Sequence, residues 1–367
     1  MVKEYGNEKE QQLLQELRDK GHTVYSISRI NNYNTCAYGY YLSYVKRERG
    51  LGSAWTEMGS LAHDSIEKYY RDEHPEDFNF KQAIHTKAME LEFMDMGFPN
   101  EIIKNAFLAD MSLFADNFQK MHGDFILEKM FITQFGDVYL HGYIDAIQEI
   151  NEKYETNLPD VGTVPYTETK ERNVLDWKTS TKFKAKELLE HGRQLVIYKI
   201  GLEKTSGIKI DKVAWNMLKY VYICHVQANK KTKKRMINRS KVGKEMEKAF
   251  RKDMAKAGLD DIAIDMAIEK LLETNDISVM PEVITSKYWT EDCIVEYEVT
   301  PEIEAEAEKY VVDTVKSIES LDPEDESQWK PADIEAEHFY CNTLCSHRES
   351  CKFLKEYNKK NPYRKSF

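Results

Sequence analysis

Residues 174–181 read VLDWKTST. An apolar pair runs into Asp176, Trp177 and Lys178, and then into hydroxyl residues. Residues i and i+2 of a strand share one face, so Asp176 and Lys178 project together from a strand end. That spacing alone leaves two readings: an exposed strand end carrying a same-face ion pair, or half of an ion site awaiting a second acid. The upstream stretch LHGYIDAIQ, residues 140–148, supplies one in Asp145, flanked by Ile144 and Ile147 at a core edge. Carboxylates on neighbouring strands can converge on a divalent cation. A lysine beside that ion would join metal-ion catalysis to electrostatic stabilisation of a phosphate under attack.

Around these two stretches the pattern changes period several times. EKEQQLLQELRDKG predicts a short helix ending at Gly21, and Ser26 and Ser28 suit a helix cap. Residues 57–72 place Leu61, Ala62, Ile66 and Tyr69 at helical spacing, and helical pattern runs to about His122 with a break near Pro99. FILEKMFITQF and DVYLHGYIDAIQEI alternate apolar and polar residues around FGD, a hairpin signal. Residues 151–170, with Pro159 and Pro165, read as a polar excursion before the strand NVLDWKT. A helix over about 184–204, the strand DKVAWNMLKYVYICHV, mixed-charge helices over about 243–274 and a helix capped at Thr300-Pro301 follow. There is no GxxxxGK[ST] loop, so nothing points to an ATP motor.

The 367 residues are 41% hydrophobic and 31% charged, with a net charge of −11, which predicts a soluble cytosolic protein without a membrane span. The charge is uneven. Lys219–Lys252 holds twelve Lys or Arg against Glu245 and Glu247, while Glu291–Glu337 holds seventeen acids against Lys309, Lys316 and Lys330. This division fits either a polyanion received on one side or two solvated faces. Three of the six cysteines, Cys341, Cys345 and Cys351, lie within eleven residues, a density that metal binding explains in a reducing cytosol. Cys224 and Cys293 lie in strand-like runs and read as core residues.

LHGYIDAIQ followed by VLDWKTS resembles the PD-(D/E)XK nuclease superfamily, in particular its RecB-like branch. The resemblance rests on Gly142 and Asp145, on Asp176, Lys178 and Thr179, on Gln194 and Tyr198 four apart on a helix, and on Gly59 and His63 in GSLAH. It spans about Tyr25 to Leu354. It implies an α/β fold with a restriction-endonuclease-like core, a central mixed sheet flanked by helices, preceded by a helical region and followed by an iron–sulfur tail. The expected division is an arm over 1–24, a helical region over 25–122, a nuclease core over 123–240, helix and strand additions over 241–334 and the tail over 335–367.

The same resemblance implies the roles. Asp145, Asp176, His63 and the Trp177 carbonyl would hold Mg²⁺ or Mn²⁺. Lys178 would orient the attacking water or stabilise developing charge, and Gln194 and Tyr198 would hold the substrate strand. Glu128, on the preceding strand, reads as structural. Several members of the branch join one upstream cysteine to three near the C-terminus around a [4Fe–4S] cluster, which here implies Cys36 with Cys341, Cys345 and Cys351. The tail spacing is C-x3-C-x5-C where C-x2-C-x5-C is common, and zinc, with His338 and His347 available, is the alternative. Lys230, Lys231, Lys233, Lys234 and Arg235 in NKKTKKR form the expected DNA-contacting turn, meeting phosphates without reading sequence. The implied activity is a metal-dependent DNA nuclease, an exonuclease of replication, recombination or repair, alone or beside a separate helicase or recombination protein. The alternatives are a CRISPR-adaptation-type trimming nuclease and a non-catalytic DNA-binding scaffold of the same fold.

Overall fold

The computed structural model describes residues 2, 7–158, 162–227 and 230–362. Its frame is a seven-stranded mixed sheet. The strands are β1 (Val24–Ser26), β2 (Asp124–Phe135), β3 (Val138–Leu158), β4 (Gly162–Lys178), β5 (Lys212–Val226), β6 (Thr232–Asn238) and β7 (Tyr288–Tyr297). β2, β3 and β4 pair as an antiparallel meander, and the FGD hairpin closes with Phe135 opposite Val138. β4 and β5 run parallel, which requires a crossover, and helix Leu188–Ser206 provides it. Two strands come from outside residues 123–240: β1 pairs parallel with β3, and β7 pairs antiparallel with β5.

Alternation along the strands sends side chains into two cores. Val174 joins Leu195, Val196, Trp215 and Val311 on one face, under helices Leu188–Ser206 and Pro301–Glu319. Leu175 and Trp177 join Met58, Ile66, Phe107 and Met111 on the other, under helices Ala54–Arg71, Phe80–Phe93 and Glu101–Asp116. The expected caps are present: the Ser26 hydroxyl accepts from Arg29 N–H at 3.2 Å, and Thr300 accepts from Ile303 N–H at 3.4 Å. Cys224 and Cys293 are fully buried in their strands. No helix among the described residues is long and apolar enough to cross a membrane.

One expectation needs correction. Residues 151–170 are not an excursion: β3 runs on to Leu158 and β4 starts at Gly162, with Asn151 opposite Thr169 and Asn157 opposite Thr163. The register shift between Ile150 and Asn151 interrupts the alternation by which a strand is recognised. Pro159 lies outside the described residues. Most acids of the acidic segment are exposed, and three others reach across to a neighbouring helix. Glu304, Glu306 and Glu308 pair with Lys199, Arg193 and Lys204 at 2.8, 2.6 and 2.7 Å, clamping helix Pro301–Glu319 to helix Leu188–Ser206.

Candidate active site

The register that pairs Ala146 with Leu175 sets Asp145 and Asp176 one step beyond, facing each other across β3 and β4. Trp177 N–H donates to Asp145 Oδ2 at 3.1 Å. Lys178 Nζ stands 2.6 Å from Asp176 Oδ2, so the spacing read from the sequence does produce a same-face pair. This pair is not on an exposed strand end, because the Asp176 side chain is only 3% exposed. The approach lacks hydrogen-bond alignment, and buried Asp176 Oδ2 keeps no aligned donor. Burial works against the Lys178 ammonium, but Asp176 and then Asp145 outweigh it and raise its pKa. Burial, with the Asp176 charge added, lifts the Asp145 pKa well above the carboxylate range.

Helix Ala54–Arg71, opened by a Ser53–Thr56 capping box, carries His63 to this strand end. His63 Nε2 lies 2.7 Å from the Trp177 carbonyl. A carbonyl only accepts, so Nε2 carries the proton. Nδ1 then turns a lone pair toward Asp145 Oδ2 at 3.4 Å. Burial lowers the His63 pKa and keeps the ring neutral. From the opposite side, Gln194 Nε2 donates to Tyr198 Oη at 2.6 Å. Burial raises the Tyr198 pKa, and the Asp176 and Asp145 charges add to it. Gly142 is required for packing: a Cβ there would come within 2.8 Å of the Phe131 ring, which packs against Tyr198.

Glu128 belongs to this constellation, although the strand pattern reads it as structural. Leu127 opposite Ala146 and Lys129 opposite Ile144 bracket it, so it stands across β2 and β3 from Asp145. Its backbone is left-handed, φ 50°, a costly conformation for a non-glycine residue in a strand. Asn7 bridges the irregularity, donating to Glu128 O and accepting from Met130 N–H, both at 2.9 Å. Burial, with Glu67 nearby, pushes the Glu128 pKa up to about 7. The only sequence signal was an acid one strand before Asp145.

The donor set suits a hard divalent cation: two carboxylates, a carbonyl and one neutral imidazole, with an orphaned oxygen on Asp176. Among the described residues, no group of three or more His, Cys, Asp or Glu is closed up to hold a metal ion as it stands. Here Lys178 lies on Asp176, and the Trp177 carbonyl takes the His63 N–H.

The distant cysteines are gathered. Burial and the neighbouring Cys345, Cys36 and Cys351 thiols push Cys341 up to about 12. Cys36 Sγ accepts from the N–H groups of Gly39 and Ala332, both at 3.3 Å. The His347 ring is engaged elsewhere, 2.8 Å from Ser43 Oγ. In the basic turn, Lys234 pairs with Glu291 at 2.5 Å and Arg235 pairs with Glu245, while Lys230, Lys231 and Lys233 are exposed. Asn229 lies outside the described residues.

Residues 24–161 match the family model of the PD-(D/E)XK nuclease superfamily. The matched segment starts at the first residue of β1, ends just past β3 and contains Cys36, His63, Glu128 and Asp145. The mixed sheet flanked by helices agrees with the restriction-endonuclease-like fold expected of it. Asp176, Lys178, Gln194 and Tyr198 lie beyond the matched segment and are joined to it through the β3–β4 pairing. No curated protein matches the chain.

Proposed function

We propose that this chain is a metal-dependent deoxyribonuclease that hydrolyses DNA from an end, in replication, recombination or repair, alone or beside a separate helicase or recombination protein. One observation carries the reading: Asp145, Asp176, Lys178 and His63 meet at one strand end, where a buried carboxylate oxygen lacks an aligned donor. His63 beside Asp145 supports the exonuclease form. Asp145, Asp176, the Trp177 carbonyl and His63 Nδ1 would hold Mg²⁺ or Mn²⁺, which supplies Lewis-acid polarisation of a phosphoryl oxygen when bound. Lys178, released from Asp176, presents its ammonium to the phosphate oxygens as negative charge grows there. Tyr198, kept neutral and oriented by Gln194, offers a hydroxyl donor at the same face.

The tail belongs to the same proposal. Cys36, Cys341, Cys345 and Cys351 would bind a [4Fe–4S] cluster, supported by their electrostatic influence on one another and by the Gly39 and Ala332 N–H groups directed at Cys36 Sγ. Zinc on the same thiolates is the competing reading.

The test uses end-labelled linear and covalently closed circular DNA, single- and double-stranded, with Mg²⁺ or Mn²⁺ and an Asp176→Asn control. Degradation of linear DNA alone, lost in the control, is expected. Cut circles would replace the exonuclease reading with an endonuclease, and no metal-dependent cleavage of any DNA would overturn the proposal.

A further inference from the structure

Past Lys178, the loop 179–187 carries Lys182 and Lys184 at exposed positions with Phe183 between them. Phe183 does not point away. Its ring stacks on His191, with centroids 4.0 Å apart and planes 22° apart, and packs against fully buried Trp215 at 4.9 Å. The half-buried His191 ring is thus fixed to the core through a single aromatic spacer. His191 shares a helix face with Gln194 and Tyr198, at i, i+3 and i+7. That face is turned toward the candidate active site: Tyr198 feels both Asp176 and Asp145, and His191 feels Glu190 first, then Lys178, Glu187 and Asp176.

Neither nitrogen of His191 hydrogen-bonds to a described residue. Burial, the first influence on the ring, lowers its pKa. The ring is held in one orientation by the stack and lacks an acceptor for its N–H among the described residues. An ordinary stacked histidine needs no such placement. A ring fixed in this way matches a substrate acceptor that recurs beside any scissile bond in a nucleic acid, the next phosphate along the strand.

We propose that His191 is a substrate-contacting residue whose imidazole N–H donates to a non-bridging oxygen of the phosphodiester neighbouring the scissile one, with Phe183 setting the ring's orientation and Lys182 and Lys184 flanking the strand. This rests on the nuclease reading above and adds a specific contact to it. The role is binding and positioning rather than proton transfer.

His191→Phe keeps the stack and removes the N–H, whereas His191→Gln restores a donor without a titrating ring. Binding is measured by fluorescence anisotropy with a labelled single-stranded oligonucleotide in EDTA, and cleavage by steady-state kinetics with Mg²⁺. The Phe variant should raise Kd and KM about tenfold, leave kcat within about twofold and melt as the wild type does; the Gln variant should recover most of the affinity. Wild-type Kd and KM in the Phe variant would overturn the contact. So would a fall in kcat at unchanged KM, or a loss that tracks a lower Tm in both variants. A wild-type chain that neither binds nor cuts DNA would overturn the nuclease reading itself, a result distinct from a wild type and Phe variant that act alike.

Discussion

Glu128→Gln should make the metal-free protein more stable, and only at neutral and higher pH. The carboxyl rises from its ordinary 4.5 to about 7, because burial and then Glu67 disfavour its charged form. At 1.36 kcal/mol per pH unit this rise corresponds to ~3.4 kcal/mol. The group keeps partial contact with water, so solvent screening reduces the figure to roughly 1–2 kcal/mol. The folded state binds the proton more tightly than the unfolded state, so wild-type stability falls as pH rises from about 4.5 through about 7. Below that window both states are protonated and the amide changes little. Above it the wild type carries the full cost, which the amide removes without altering side-chain size. For a chain of 367 residues, ~1.5 kcal/mol shifts Tm by about 2 °C. Thermal unfolding of both proteins in EDTA, at pH 4.5 and pH 8, measures the difference. The same Tm gap at both values, or a less stable variant at pH 8, would refute the reasoning.

Further outcomes concern the chemistry and the metal centres. Lys178→Ala should lower kcat roughly 10²-fold or more, equivalent to ~3 kcal/mol of transition-state stabilisation; wild-type rates in the purified variant would remove Lys178 from the site. Lys230→Gln with Lys233→Gln should flatten the salt dependence of single-strand binding by about 0.7 per lost phosphate contact. Lys234→Gln should alter it less, because Glu291 already pairs with that ammonium; the reverse order would place the contacts elsewhere. Anaerobically purified protein should be brown, and Cys36→Ala should lose the colour and become protease-sensitive at both ends. Stoichiometric zinc in a colourless wild type would reject the cluster.

What the sequence made legible follows from which signals are local. The FGD hairpin, the Thr300-Pro301 cap and the Asp176–Lys178 spacing are short-range patterns, and each appears where it was read. β1, three residues long, carries too little pattern to announce itself, and its place beside β3 depends on a partner more than a hundred residues away. The far halves of β3 and β4 escape the sequence pattern because the register shift between Ile150 and Asn151 breaks their alternation. Glu128 was read as structural because its meaning lies in the register: only the pairing of β2 with β3 sets it opposite Asp145. His191 was passed over for a similar reason, since its stacking on Phe183 and its closeness to Lys178 arise from the crossover rather than from spacing.

The tail also ties the site to the timing of synthesis. Leu51 N–H donates to the Ser346 carbonyl at 2.8 Å, and Arg348 donates to the Gly52 carbonyl at 2.9 Å. A Cβ on Gly50 would come within 2.6 Å of Ser346. These contacts add a clasp to the segment leading into the helix that bears His63, beyond the core packing of Met58, Ala62 and Ile66, and the clasp can close only after residue 348 has been made. On a ribosome adding about 5–20 residues per second, roughly ten to thirty seconds separate Lys178 from its arrival. During that interval a nascent chain holds both strand carboxylates and their lysine but lacks that clasp. The clasp on the entry to the His63 helix is thus among the last contacts that synthesis makes possible.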